Sequence, residues 1–285
     1  MKLGFHVSIS GSVDRAVDRA QELGCDTFQI FTRNPRSWRS RPLGSGEVES
    51  FREKRRSSGI DPVYGHMPYI LNLASPNDEI YGRSLESLAE GISRCSVLGV
   101  PMLVTHLGSH LGSGAERGVE RVIGALDAAI GEGSGGVTVL LENGSGSENK
   151  VGSSFEELGR IVDGVGRPEL VAVCLDTCHA FAAGYDVGTQ RGLEEALLSI
   201  DEHIGFERLR LVHLNDSVGA LGSGVDHHEH IGLGGIGLEG FRRILGSRLS
   251  EAPMVMETPI DDRRGNEGNM RVVRGLAASL EGERA

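Results

Sequence analysis

Val137-Thr-Val-Leu-Leu-Glu142 is a run of five apolar or β-branched residues closed by a carboxylate. Glycines bound it on both sides, at Gly136 and Gly144. So short a run, rich in β-branched residues, reads as a strand buried on both faces. The same grammar recurs in both directions. Val63-Tyr64 precedes His66, Met102-Leu-Val-Thr105 precedes His106, and Val171-Ala-Val-Cys-Leu175 precedes Asp176. Leu209-Arg-Leu-Val212 precedes His213, and Met254-Val-Met256 precedes Glu257. The six terminal residues are 40, 36, 34, 37 and 44 positions apart, about one strand and one helix each.

Two further units precede His66. Leu3–Val7 and Thr27–Phe31 read as strands, with a helix between them at Val13, Ala16, Val17, Ala20 and Leu23, capped by Ser12 and ended by Gly24. Helices are expected at 47–58, 77–98, 115–131, 154–165, 193–203, 238–248 and 269–280. Eight strands alternating with eight helices predict an α/β chain, closed as one parallel (β/α)8 barrel spanning residues 1–285. The length suits such a barrel, and no Pro- or Ser-rich linker divides the chain. Closure would bring all six strand-end residues to the C-terminal rim, where barrels keep their chemistry. An open sheet would scatter them.

Bulk properties narrow the function. Neither a signal-peptide pattern nor an apolar stretch long enough to span a membrane is visible, so a cytoplasmic protein with no membrane partner is expected. Cys25, Cys95, Cys174 and Cys178 are too few and too scattered for a disulfide framework and read as reduced thiols. A net charge of −11 excludes a generally basic, nucleic-acid-coating surface, although a local basic patch is compatible with it.

His179 follows Asp176 closely, and Asp226 with His228 forms an Asp-x-His pair after the seventh strand. With His66, His106, Glu142, Asp176, His213 and Glu257 they make five histidines and four carboxylates, a mixture that favours zinc. Nine ligands exceed the needs of one ion and suit two or three. A single His at a strand end is ordinarily a structural residue, and Glu142 or Asp176 alone could cap the next helix. Six such residues at six strand ends are harder to explain that way, because uncompensated buried charge costs several kcal/mol per group. His227 and His230, beside the pair, read as solvent-facing, and Cys174 and Cys178 as thiols outside the ligand set.

Several runs resemble the signatures of endonuclease IV, the zinc-dependent apurinic/apyrimidinic (AP) endonuclease family. They are Gly65-His-Met-Pro-Tyr-Ile-Leu-Asn72, Leu140-Leu-Glu-Asn143, Cys174-Leu-Asp-Thr-Cys-His-Ala-Phe-Ala-Ala-Gly-Tyr-Asp186, His213-Leu-Asn-Asp-Ser217, Asp226-His-His-Glu-His-Ile-Gly232 and Met256-Glu-Thr-Pro259. The resemblance implies a TIM barrel with three zinc ions (Zn2+). His66, His106 and Glu142 would hold the first, and Glu142 would bridge to a second held by Asp176, His213 and Glu257. His179, Asp226 and His228 would hold the third. It implies DNA repair by zinc-hydroxide hydrolysis of the phosphodiester 5′ to an abasic site, giving a 3′-hydroxyl and a 5′-deoxyribose phosphate. Glu142 and Glu257 are the carboxylates expected to be catalytic. The expected partner is double-stranded DNA containing abasic sites, met by a monomer.

The basic stretch Arg33-Asn-Pro-Arg-Ser-Trp-Arg-Ser-Arg41 surrounds the only tryptophan and reads either as a solvated loop anchored by Trp38 or as a phosphate-tracking loop. By resemblance Arg36 would enter the duplex and Tyr69 would be a second wedge, making both DNA-binding residues. Two departures stand out. Leu107-Gly108 replaces the family's usual Pro-Gly, and Gly144-Ser-Gly-Ser-Glu148 replaces Thr-Ala-Gly-Gln-Gly, which places a carboxylate near the expected DNA path. The competing expectation is a metal-dependent sugar isomerase or epimerase on a related barrel.

Overall fold

The computed structural model describes residues 1–131 and 135–284. Eight parallel strands close in the order β1 (Leu3–His6), β10 (Met254–Met256), β7 (Leu209–His213), β6 (Val171–Asp176), β5 (Thr138–Glu142), β4 (Met102–Thr105), β3 (Val63–His66) and β2 (Thr27–Phe31). A two-residue antiparallel pair, β8 (Asp216–Ser217) with β9 (His228–Glu229), stands above the rim. The expected barrel is therefore the observed one. Four strands, β3, β5, β6 and β7, include the rim residue itself as their last member.

The helices in chain order are α1 (Arg15–Glu22), α2 (Ser45–Ser58), α3 (Asp78–Leu98), α4 (Ala115–Ala129), α5 (Phe155–Gly164), α6 (Thr177–Ala182), α7 (Gln190–His203), α8 (Gly237–Gly246) and α9 (Asn266–Arg284). Side-chain caps explain several starts. Asn77 accepts from the amides of Glu79 and Ile80, and Ser154 from that of Glu157. Thr189 caps at Gly192 and starts α7 three residues before the expected Leu193. Ser12 does not cap α1. Its hydroxyl bonds the Asp14 carboxylate instead, and the helix begins at Arg15 without a side-chain cap.

Alternation along the strands makes two apolar layers. Tyr64, Val104, Leu140, Ala172, Cys174, Leu211 and Val255 fill the barrel interior. Phe28, Ile30, Leu103, Leu141 and Val173 face outward to meet helix residues such as Phe51, Phe155 and Phe241. Tyr64 is fully buried, and its hydroxyl donates to the Arg210 carbonyl at 2.9 Å. All four cysteines are buried and free. Among the described residues no helix is long and apolar enough to cross a membrane.

Candidate metal centre

Because the strands are parallel, their C-terminal ends lie on one rim, and register sets their residues side by side. Asp176 pairs with His213, and Glu142 with Cys174. Three groups of possible ligand atoms form there. They are His66, His106 and Glu142; Glu142, Asp176, His213 and Glu257; and His179, Asp226 and His228. Within each group the atoms lie within 4.8 Å of one another. That is close to the spread allowed around one ion with bonds of about 2.0–2.2 Å. Asp176, Cys178 and His228 meet the same geometric test. Cys178, however, turns its thiol toward the His227 carbonyl, and burial raises its pKa, both of which oppose a thiolate ligand.

Glu142 divides its two oxygens between groups. Oε2 lies 3.1 Å from His66 Nε2 and 3.5 Å from His106 Nε2, while Oε1 lies 3.1 Å from His213 Nδ1. Four imidazoles share one orientation rule. A carbonyl oxygen can only accept, so a ring nitrogen bonded to it must carry the hydrogen. His66 Nδ1 donates to the Met67 carbonyl, His179 Nδ1 to the Asn143 carbonyl, and His228 Nδ1 to the Glu257 carbonyl. His213 Nε2 donates to Gln29 Oε1. In each ring the other nitrogen is turned to the carboxylates, the orientation in which metal-ligating histidines are held. His228 Nε2 is buried without a hydrogen bond, 3.4 Å from Asp176 Oδ2.

Electrostatics make the same point. Burial disfavours charge on Glu142 and Glu257, yet the surrounding imidazoles outweigh it and hold both carboxyls well below their ordinary range. Burial alone would lower His179, but Asp176, Asp226 and Glu142 push it up to about 10. His213 also rises well above its ordinary value despite burial. Burial pushes His106, with fewer carboxylates around it, down to about 4. A cluster that draws protons onto buried imidazoles to balance buried carboxylates is one that divalent cations would balance better. The donor set therefore fits metal.

Residues beyond the nine hold them in place. Asp176 caps α6 through Oδ1, which accepts from the His179 amide, while Oδ2 accepts from Asn215 Nδ2 at 2.8 Å. Asn215 Oδ1 accepts from the Glu257 backbone amide, so one side chain ties the Asp176 carboxylate to the Glu257 main chain. Gln29 donates to Glu257 Oε1 at 2.7 Å, and His6 Nδ1 lies 2.9 Å from the same oxygen. Asp216, fully buried, accepts from the amides of Ser217, Gly232, Gly234 and Ile236, tying down the loop that follows His228. Neither Asn215, Gln29, His6 nor Asp216 was singled out as a site residue from the sequence. His6 closes the first strand as the other six close theirs, and Gln29 is a lone polar residue in an apolar strand. Both signals were present.

One expectation is corrected. His230 is buried and bonded to Asp261 and Asn269, so it is a structural residue away from the ligand groups. His227 is exposed, as expected. The basic loop also divides. Arg33 is buried, bonded to Glu90 and Ser87, and Arg41 is paired with Glu47. Arg36 and Arg39 are exposed and line a groove of about 840 Å3 with Ser8, Gly11 and Arg94. Trp38 is half-buried. Tyr69 is exposed beside the cluster, its ring edge-on to Phe31 and 5.9 Å from those of His66 and His106. The Leu107-Gly108 departure is internally accommodated. Leu107 is buried, and Gly108 (φ +93°) lies so close to Asn72 that a Cβ would clash. Glu148 is exposed on the rim.

Residues 17–279 match the family described as xylose isomerase-like TIM barrel. The "probable endonuclease 4" of Methanoculleus marisnigri is 53% identical over 97% of this chain and 99% of its own. The chain belongs to the endonuclease IV family. Its relative in Cenarchaeum symbiosum, named probable endonuclease 4, is 48% identical over 97% of this chain and 100% of its own. The crystal structure of endonuclease IV from Thermus thermophilus superposes with a TM-score of 0.87 at 41% identity, covering 98% of this chain and 100% of that one. A D-tagatose 3-epimerase-like protein, 18% identical with a TM-score of 0.74, shares the fold.

Proposed function

We propose that this member of the endonuclease IV family is a zinc-dependent DNA repair enzyme that hydrolyses the phosphodiester 5′ to an abasic site. The products would be a 3′-hydroxyl and a 5′-deoxyribose phosphate. The observation that carries the reading is Glu142, whose two oxygens face two separate ligand groups, with a third group beside them. His66, His106 and Glu142 would hold one zinc ion, Glu142, Asp176, His213 and Glu257 a second, and His179, Asp226 and His228 a third. When bound, such ions make water a nucleophile near neutral pH and stabilise the departing oxygen of a phosphodiester.

The chain's own residues supply the orientation. Glu142 and Glu257 are the catalytic carboxylates in this reading, kept ionised by their imidazole neighbours. Asn215, Gln29 and His6 fix the direction of Glu257 and Asp176. Arg36 and Tyr69 project from the rim, free to enter a duplex. An abasic nucleotide stacks poorly, so extruding it costs less than extruding a normal base, and selectivity follows. Side chains filling the vacated space would hold the duplex open. We further infer that residues 1–285 form one domain acting as a cytoplasmic monomer on double-stranded DNA.

The test is incision of a duplex carrying one abasic site, before and after prolonged treatment with a strong zinc chelator. Single cleavage on the 5′ side, lost on chelation and restored by zinc, is the expected result. Aldose turnover without incision would instead select a sugar isomerase or epimerase.

A further inference from the structure

Of 29 cationic side chains only Lys2, Lys54 and Lys150 are lysines. Lys2 donates to the Asp61 carbonyl and Lys54 to Asp14 and Asp18. Lys150 alone among them has no bonded partner for its ammonium among the described residues. Its backbone is firmly placed. The Lys150 amide donates to Ser147, and an isolated antiparallel bridge pairs it with Ser109. The neighbouring Asn149 carbonyl accepts from His110, and the Val151 amide donates to Gly108. Asn149 adopts the left-handed region (φ +64°), which Asn tolerates better than most residues and which turns the chain just before Lys150. Two rim loops thus grip this lysine where it lines a small cavity with His106, Glu142, Ser145, His179 and Asp226.

We propose that Lys150 is a substrate-binding residue whose ammonium neutralises a phosphate of the DNA strand lying over that cavity. The inference rests on the abasic-site endonuclease reading above and adds to it a specific phosphate contact. The cavity lies between the first and third ligand groups, where a strand presented to both must place a phosphate. Of the two exposed carboxylates on that side, Asp226 would be engaged by the third ion, and Glu148 would repel the strand. Lys150 is the cation beside them, and its compact ammonium on a flexible stem can follow a phosphate oxygen without a fixed fork geometry. Because Glu148 is two residues away on the same loop, the pair sets opposite charges on neighbouring parts of the strand's path.

The test uses full-length, zinc-loaded protein carrying Lys150→Met or Lys150→Arg. Lys150→Met is expected to raise KM for an abasic duplex about tenfold, in line with loss of one charge-assisted contact, while kcat stays within about twofold. The salt dependence of binding to an uncut duplex should fall by about one unit of log–log slope. Lys150→Arg should keep the slope, and bound zinc should be unchanged in both. Unchanged KM and slope would overturn the proposal and make Lys150 a solvated surface residue. Loss of zinc would overturn it by making Lys150 part of the metal scaffold. A wild-type protein that fails to incise abasic DNA refutes the functional reading separately. The salt slope, which needs binding alone, then still decides Lys150: a fall supports the contact and no change overturns it.

Discussion

The interior of the barrel and its C-terminal rim are built from the same strands, one or two residues apart, yet they obey opposite rules. Inside, Val104, Leu140, Leu211 and Val255 bury apolar surface, and the Tyr64 hydroxyl has its hydrogen bond. On the rim, Glu142, Asp176, His66 and His213 are as deeply buried but polar, and His228 Nε2 and His6 Nε2 lack hydrogen bonds. The interior is complete as protein. The rim, in the reading proposed above, is complete only with cations. Stability should therefore respond to changes below, and chemistry to changes one residue above.

The largest expected effect is on the rim. Glu142→Gln should leave the barrel folded, with an unchanged circular dichroism spectrum, and nearly abolish incision of an abasic duplex, because a neutral amide bridges two cations poorly. Near-normal incision would remove Glu142 from the site. Just below it, Leu140→Ala should lower unfolding free energy by about 2–5 kcal/mol, through lost burial and a residual cavity. In denaturant titrations it should do so without changing the zinc bound per folded chain, and a change there would show that interior and rim are not separable.

The basic loop contains a smaller version of the same contrast. Arg33→Ala should cost about 1–3 kcal/mol in stability, since it leaves Ser87 and the Trp38 carbonyl without their donor in a buried setting. Arg36→Ala should stay within about 0.5 kcal/mol of wild type and weaken binding to abasic duplex more than to undamaged duplex. Equal losses on both duplexes would make Arg36 an ordinary phosphate contact.

The smallest effect lies outside the ligand groups, in a carboxylate satisfied entirely by protein. Ser12, Lys54 and Ser50 hold the Asp14 carboxyl at about 2, below its unfolded value. A depressed folded-state pKa stabilises above the unfolded value near 3.9 and is lost as pH falls toward 2. Asp14→Asn should lower stability in urea at pH 5 by less than about 1 kcal/mol, solvent screening being considerable, and the difference should vanish near pH 2. A difference that persists there would mean that packing, not charge, sets it.

How much of this was legible in the sequence depended on whether a residue acts along the chain or across it. The apolar runs ending in His or a carboxylate showed the strands, the closure and six of the nine candidate ligands, because period and spacing are local, and His179, Asp226 and His228 stood out in the loops beside them. Asn215, Gln29 and Asp216 were missed because their work joins residues between 16 and 228 positions apart, which only the closed fold brings together. The short α6 and the β8–β9 pair were missed for a different reason. Six residues, or two, are too few to show a period. Arg33 and Arg36 look alike in sequence, and only Glu90 and Ser87, on α3, separate the buried one from the free one.

The most direct test of the claim that cations complete the rim is to count zinc per chain on purified, active protein by native mass spectrometry, alongside incision of a single-lesion duplex. Three zinc ions per chain, with incision falling as they are stripped and returning as they are restored, is the predicted result. Full incision by a protein holding no zinc, or at most one ion, would contradict it.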